Sequence, residues 1–186
     1  MLKKILIVVG AIAAIIAVII LVLVVVVAMQ PAEFSIVRSA TLSAPPGAVF
    51  EQVNDFHNWT AWSPWEKLDP ALKRTYAGPA AGTGTIYSWS GNKQAGEGRM
   101  TLTESRPGEL IRIKLEFFKP FAATNTAEFL FQPEGQQTVV TWSMTGQHNF
   151  FSKAFCMFMN MDKIVGGDFE KGLAALKSIA ETASQQ

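Results

Sequence analysis

Few side chains in this sequence could do covalent chemistry. It holds two histidines, His57 and His148, and one cysteine, Cys156, in 186 residues. Nucleophilic catalysis needs a nucleophile, a base and a group that orients the base, all within hydrogen-bond reach. Either histidine could act as a general base if its ring faced a cavity. His57 opens the aromatic stretch "HNWTAWSPWEKLDP", and His148 stands where a strand pattern gives way to a helix pattern. Such boundary positions suit caps and surface roles, so no catalytic residue is assigned. A zinc site lacks its ligands. "GTG" at 82–84 lacks the continuation of a phosphate loop and precedes a strand pattern, so it reads as a hairpin turn. "NWT" at Asn58 is a glycosylation sequon, which matters only in a glycosylating host. Cys156, between Phe155 and Met157, reads as a buried structural thiol. A single cysteine permits no intramolecular disulfide. No metal and no cofactor is assigned.

Apolar and aromatic surface is what the sequence has in quantity. Three of its five tryptophans, Trp59, Trp62 and Trp65, fall in that one stretch, with Pro64 among them and Glu66 and Lys67 just after them. Each tryptophan can bury roughly 150–250 Å². The stretch has no clean strand or helix period, so it reads as a connector that brings rings to a core.

The elements that must position those rings lie on either side. "FSIVRSATLS" alternates and suits a strand, with Ile36, Arg38, Ala40 and Leu42 on one face. "APPGAVFEQVND" follows as a short helix that Pro46 can start. After the connector the chain alternates again. Thr85, Tyr87 and Trp89 share a face in "TIYSWSG", and Met100 and Leu102 share one in "GRMTLTES". "LIRIKLEFF" puts Ile111, Ile113, Leu115 and Phe117 on one side and Arg112, Lys114 and Glu116 on the other. "TAEFLFQ" sends Phe129 and Phe131 inward and Glu128 to solvent, and "TVVTWSMTG" gives Val140, Trp142 and Met144 one face. One-sided alternation with short turns argues for an antiparallel sheet with one wet and one buried face. Residues 150–181 read as helix, with Phe155, Met159, Val165, Phe169, Leu173, Leu176 and Ala180 roughly on one stripe. Gly166-Gly167 costs up to about 1 kcal/mol per glycine in a helix interior and predicts a kink or a break there. Met157, Met159 and Met161 could adapt to varied apolar ligands.

Residues 5–28 carry no charge. As a helix the run is about 36 Å long, enough to cross a hydrocarbon core of roughly 30 Å. It exceeds the apolar segment of about 7–15 residues typical of a signal peptide, so an uncleaved anchor is expected and a cleaved signal is the alternative. Lys3 and Lys4 place the N-terminus in the cytoplasm and the rest of the chain outside, in the periplasm of a Gram-negative cell. The expected segments are 1–30 as a transmembrane anchor, 31–33 as a juncture and 34–186 as one folded domain. Without Lys3 and Lys4 the chain has 14 cations against 15 anions. No basic run of five or more appears, so no nucleic-acid partner is expected.

The strand into "APPGAVFEQVNDFHNW", then "WSPWEKLDP", "YAGPAAGTGTIYSWSG", "TVVTWSMTG" and "DFEKGLAALK" resemble the polyketide cyclase/dehydratase-like branch of the START/Bet v 1-like (SRPBCC) superfamily. The resemblance covers 34–183. It implies an α+β helix-grip fold, in which a curved antiparallel sheet closes around a long C-terminal helix over a hydrophobic cavity. The expected cavity residues are Trp62 and Trp65 from the connector, then Tyr87, Trp89, Met100 and Phe117 from the first strands. Phe129 and Trp142 come from the last strands, and Met159 and Phe169 from the helix. A membrane-tethered carrier or sensor of a hydrophobic, lipid-like ligand is the expected function. A scaffold for another envelope protein and a cyclase/dehydratase-type enzyme are the alternatives, since fold analogy is a weak warrant for chemistry.

Overall fold

The computed structural model describes residues 2–157 and 159–183. Met1 and residues 184–186, at the ends of the expected anchor and domain, lie outside them. The chain divides into two compact units, Phe34–Gln147 with Met161–Gln186, and Met1–Glu33 with His148–Asn160.

The larger unit is built on a seven-stranded sheet. β1 (Glu33–Leu42) is followed by helix α2 (Pro46–Asn54), a 3-10 turn (Phe56–Asn58), the single turn α3 (Trp59–Trp62) and a second 3-10 turn (Pro64–Lys67). The long N-terminal helix that precedes β1 is α1 (Leu2–Met29). Strands β2 (Lys73–Ala77), β3 (Ile86–Ser90), β4 (Glu97–Arg106), β5 (Leu110–Lys119), β6 (Ala123–Glu134) and β7 (Gln137–Gln147) then run as antiparallel neighbours. The sheet order is β1-β7-β6-β5-β4-β3-β2. Register breaks in β4, between Glu97 and Gly98 and between Leu102 and Glu104, help bend the sheet, as bulges do. The curved sheet wraps around helices in the helix-grip arrangement, with α5 (Met161–Ala183) as its long helix.

Alternation predicts the inward faces well. Ile111, Ile113, Phe129, Phe131, Val140 and Trp142 are buried, and so are Ile36 and Leu42 of β1. On the wet face Arg112 pairs with both Glu104 and Glu128. The sequence reading missed β2, an edge strand whose residues are mostly exposed and which therefore shows no apolar alternation.

The expected break at Gly166-Gly167 is not there. α5 runs through both glycines, and the helix pattern is interrupted earlier, between α4 (Phe150–Cys156) and Met161. Gly166 has a packing role. A side chain there would collide with the Arg38 guanidinium, which lies over the helix. Arg38 Nε donates to Glu170 at 2.8 Å, and Nη2 donates to Asp162 at 3.0 Å. These contacts answer why an arginine shares the apolar face of β1. Gly172 brings α5 close to the sheet, because a Cβ there would stand 2.8 Å from Cζ3 of Trp142.

In the smaller unit, α4 packs on α1. The His148 amide donates to Ala32 O at 2.6 Å, and Asn149 caps α4 by accepting from the Ser152 amide. Cys156 is half-buried, where full burial was expected. Burial pushes its thiol above the ordinary range, which disfavours the reactive thiolate. α1 is long and apolar enough to cross a membrane.

Candidate functional site

The connector answers for its tryptophans. Asp55 caps its first turn by accepting from the His57 amide, and two short turns then carry the chain inward. Trp59 and Trp62 are both buried, their rings 4.6 Å apart. Each indole is held by the short helix before it: Trp59 Nε1 donates to Val53 O at 2.9 Å and Trp62 Nε1 to Gln52 O at 3.0 Å.

These rings meet those of the sheet and α5. Phe129 and Trp142, cross-strand partners in β6 and β7, stack at 4.7 Å. Trp142 stacks on Phe169 of α5 at 4.1 Å with nearly parallel planes. Trp62 and Trp65 approach Trp142 edge-on. Five of the ten expected cavity residues, Trp62, Trp65, Phe129, Trp142 and Phe169, thus form one assembly. Edge-to-face and offset pairs of this kind add about 0.5–1.5 kcal/mol each beyond area burial.

Trp142 differs from the other buried indoles. It is 2% exposed, yet its Nε1 has no hydrogen-bond partner among the described residues. A buried donor without an acceptor costs about 1–3 kcal/mol.

A second ring group occupies the β3 side. Tyr87 stacks with Trp89 at 6.1 Å, Trp89 meets Phe117 edge-on at 5.8 Å, and Met100 pairs with Tyr87 across the strands. Phe117 is half-buried. Phe56 links the two groups, 5.4 Å from Trp59 and 6.1 Å from Tyr87. Met159 belongs to the smaller unit and is exposed.

A buried polar cluster ties the connector to this second group. Glu66, on the second 3-10 turn, points inward. Tyr87 Oη donates to Glu66 Oε1 at 2.5 Å, and Arg74 Nε of β2 donates to Glu66 Oε2 at 2.6 Å. Burial, then the Glu66 carboxylate, hold the Tyr87 hydroxyl far above the usual tyrosine range, so it stays protonated. Three residues on, Asp69 accepts from the Asn92 amide at 2.6 Å and the Ala71 amide at 2.9 Å. The sequence marked Glu66 and Tyr87 separately but not Arg74. Its one signal, a shared face with Tyr76 in "KRTYA", is too short to fix a strand.

His57 Nδ1 lies 2.7 Å from Asp55 Oδ1, and its half-exposed ring stacks on Tyr76 at 3.9 Å. His148 is in the smaller unit, and burial, then Lys153, lower its pKa. No group of three or more metal-ligating residues gathers among the described residues.

Several solved structures share the fold of this chain at low identity. A protein from Chromobacterium violaceum is 16% identical, with 79% of this chain and 96% of that one covered and a TM-score of 0.58. The di-domain ARO/CYC protein StfQ of the steffimycin biosynthetic pathway is 11% identical, with 83% of this chain and 53% of that one covered and a TM-score of 0.61. Norcoclaurine synthase from Thalictrum flavum, in truncated form, is 12% identical, with 81% and 96% covered and a TM-score of 0.61. No curated protein matches the chain. The family described as polyketide cyclase / dehydrase and lipid transport matches residues 33–181, which takes in all seven strands and nearly all of α5, and the chain belongs to that family.

Proposed function

We propose that this chain is a membrane-tethered binding module for a hydrophobic, lipid-like ligand, a carrier or a sensor. The ligand sits between the sheet and α5, against the rings of Trp62, Trp65, Phe129, Trp142 and Phe169, with Tyr87, Trp89, Met100 and Phe117 toward the β3 side. The observation that carries this reading is the unpartnered Trp142 Nε1. A ligand oxygen accepting from it would remove the cost of a buried unpaired donor, and the surrounding rings would cover an apolar body. The family's description, which includes lipid transport, supports the same class of ligand.

α1 is the tether, an uncleaved single-pass anchor with Lys3 and Lys4 on the cytoplasmic side and the rest of the chain outside, in the periplasm of a Gram-negative cell. The folded domain begins near residue 34. About five residues separate the apolar run from the first strand, a reach of at most roughly 18 Å. That tether favours a molecule already concentrated in the bilayer over one diffusing in water.

Glu66 and Tyr87 do not favour the enzyme alternative. The carboxylate is engaged by Arg74 as well as Tyr87, and the phenol is held protonated, so the pair is closed on itself.

Native mass spectrometry of the full chain extracted from membranes tests the reading. The expected result is a bound lipid-sized mass that Trp142→Phe weakens. A bare wild-type chain that also fails to extract fluorescent lipid from vesicles, while crosslinking in cells captures one dominant protein, would replace the carrier with the scaffold. Turnover of a polyketide-like substrate would replace it with the enzyme.

A further inference from the structure

The smaller unit contains a second apolar surface that the tether reading does not use. α4 is seven residues long, and 100° per residue sorts them into two faces. Phe150, Phe151, Ala154 and Phe155 fall on one arc, which Met157 extends just beyond the helix. Ser152, Lys153 and Cys156 fall on the other. The apolar arc faces outward: Phe151 is 82% exposed, Phe155 54% and Phe150 43%. Three phenylalanines displayed on two turns of helix are costly in water and mark a contact surface.

The position of α4 says what covers it. α4 packs on α1 and joins it at its C-terminal end. Lys153 Nζ, from the polar arc, reaches Ala28 O at 3.4 Å, where the last carbonyls of a helix lack partners and a cation is favoured. Val27, in the last turn of α1, is the only buried residue among the described side chains of that helix. α1 has 28 residues, about 42 Å of helix against a hydrocarbon core of roughly 30 Å, so its last turn stands at headgroup level. A short helix fixed beside that turn, with phenylalanines outward and its lysine inward on carbonyls, stands where the apolar face of an interfacial helix inserts.

We infer that α4 is a second membrane contact, with Phe150, Phe151 and Phe155 seated among the headgroups and upper acyl chains of the outer leaflet. The inference rests on the reading of α1 as a span and is independent of whether the larger unit binds a ligand. Two contacts fix an orientation where one span leaves the chain free to rotate, so α4 sets which side of the smaller unit faces the bilayer.

The test uses the full chain in vesicles of phosphatidylethanolamine and phosphatidylglycerol. In a Cys156→Ser background, single cysteines replace Phe151, Ile16 in the middle of α1, and Gln136 in the turn between β6 and β7, and each carries a polarity-sensitive fluorophore. Nitroxide lipids labelled near the headgroup should quench the fluorophore at 151 and shift its emission to the blue. Nitroxides deep in the chains should quench 16, and only aqueous iodide should quench 136. A label at 151 that iodide quenches and lipid nitroxides do not, with 16 still quenched from the bilayer, overturns the inference alone. A label at 151 shielded from both probes replaces the lipid with a protein contact and overturns it as well. Iodide quenching at 16 overturns the span and this inference with it, while leaving the mass-spectrometric test of ligand binding untouched.

Discussion

The connector between α2 and β2 ends in two different environments. Its first half delivers Trp59 and Trp62 into a stack of rings where the only polar atoms are indole nitrogens. Its second half delivers Glu66 and Asp69 to β2, β3 and the turn after β3, where both carboxylates are engaged by donors. At the polar end the bonds lie within the protein and lock the connector in place. In the ring stack one fully buried donor, Trp142 Nε1, is left without a partner among the described residues. The difference separates what holds the domain together from what is free to hold something else.

The largest effect should come from the ring stack. Phe129 is fully buried against Trp142, Trp59 and Trp62. Phe129→Ala should cost about 3–5 kcal/mol in urea unfolding of the full chain. Phe117, half-buried against Trp89, was expected to be an equal member of the cavity wall. Phe117→Ala should cost only about 1–2 kcal/mol, since much of that ring is already wet. Equal midpoints for the two variants would break the distinction between the stack and the β3 side.

Next comes the polar end. Glu66→Ala removes the acceptor of two donors and leaves Tyr87 and Arg74 facing a low-dielectric space. A loss of about 2–4 kcal/mol is expected, held below the full cost of breaking a buried pair because Arg74 is partly exposed. Tyr87→Phe in the same background should add little, since its partner is already gone. Full additivity of the two substitutions would mean that the bond between Glu66 and Tyr87 contributes nothing.

How much of this the sequence revealed depended on the length of each signal. Strands of ten or more residues with one buried face announced Ile111, Phe129 and Trp142 as inward, and all three are buried. The charge of Arg38 on an apolar face was visible too, and its partners on α5 explain it. The inward turn of Glu66 was not legible, because a 3-10 turn of four residues has no period to read. The double glycine misled for a different reason. Propensity sees its entropic cost and cannot see the guanidinium that needs the space. Trp142 could be assigned to the core, but no pattern in one strand tells whether an indole nitrogen finds an acceptor across the fold.

A smaller effect separates the two ends by pH. The chain has only two tyrosines, Tyr76 and Tyr87, and burial raises the pKa of both. A raised folded pKa means the folded state holds the proton more tightly. The stability this supplies is fully present below about pH 10, the unfolded value, and is lost as pH rises through the folded values. Absorbance of tyrosinate should therefore stay low on titration through the ordinary range and rise together with the loss of folded circular dichroism. Ionisation of both tyrosines near pH 10 in a folded chain would contradict a closed polar end.

The smallest effect is the most informative about the leftover donor. Trp142→Phe trims a well-packed ring, which destabilises, and deletes a buried N–H without an acceptor, which stabilises by about 1–3 kcal/mol. The two should nearly cancel, with a net change within about 1 kcal/mol. The same exchange at Trp62 lacks the compensation. Its Nε1 bonds Gln52 O, so Trp62→Phe loses ring volume and strands a carbonyl together. It should cost about 2–3 kcal/mol. The chemistry of the substitution is identical at the two sites and only the partner differs, so the gap between the variants measures the unpaired donor directly. Equal losses would mean that Trp142 Nε1 is already satisfied in solution, by a bound molecule or by a neighbouring ring face. Ligand retention then divides those two causes. If a bound molecule supplies the acceptor, delipidating the wild-type chain should bring its stability down to that of Trp142→Phe. If a ring face supplies it, delipidation should leave the gap between them unchanged.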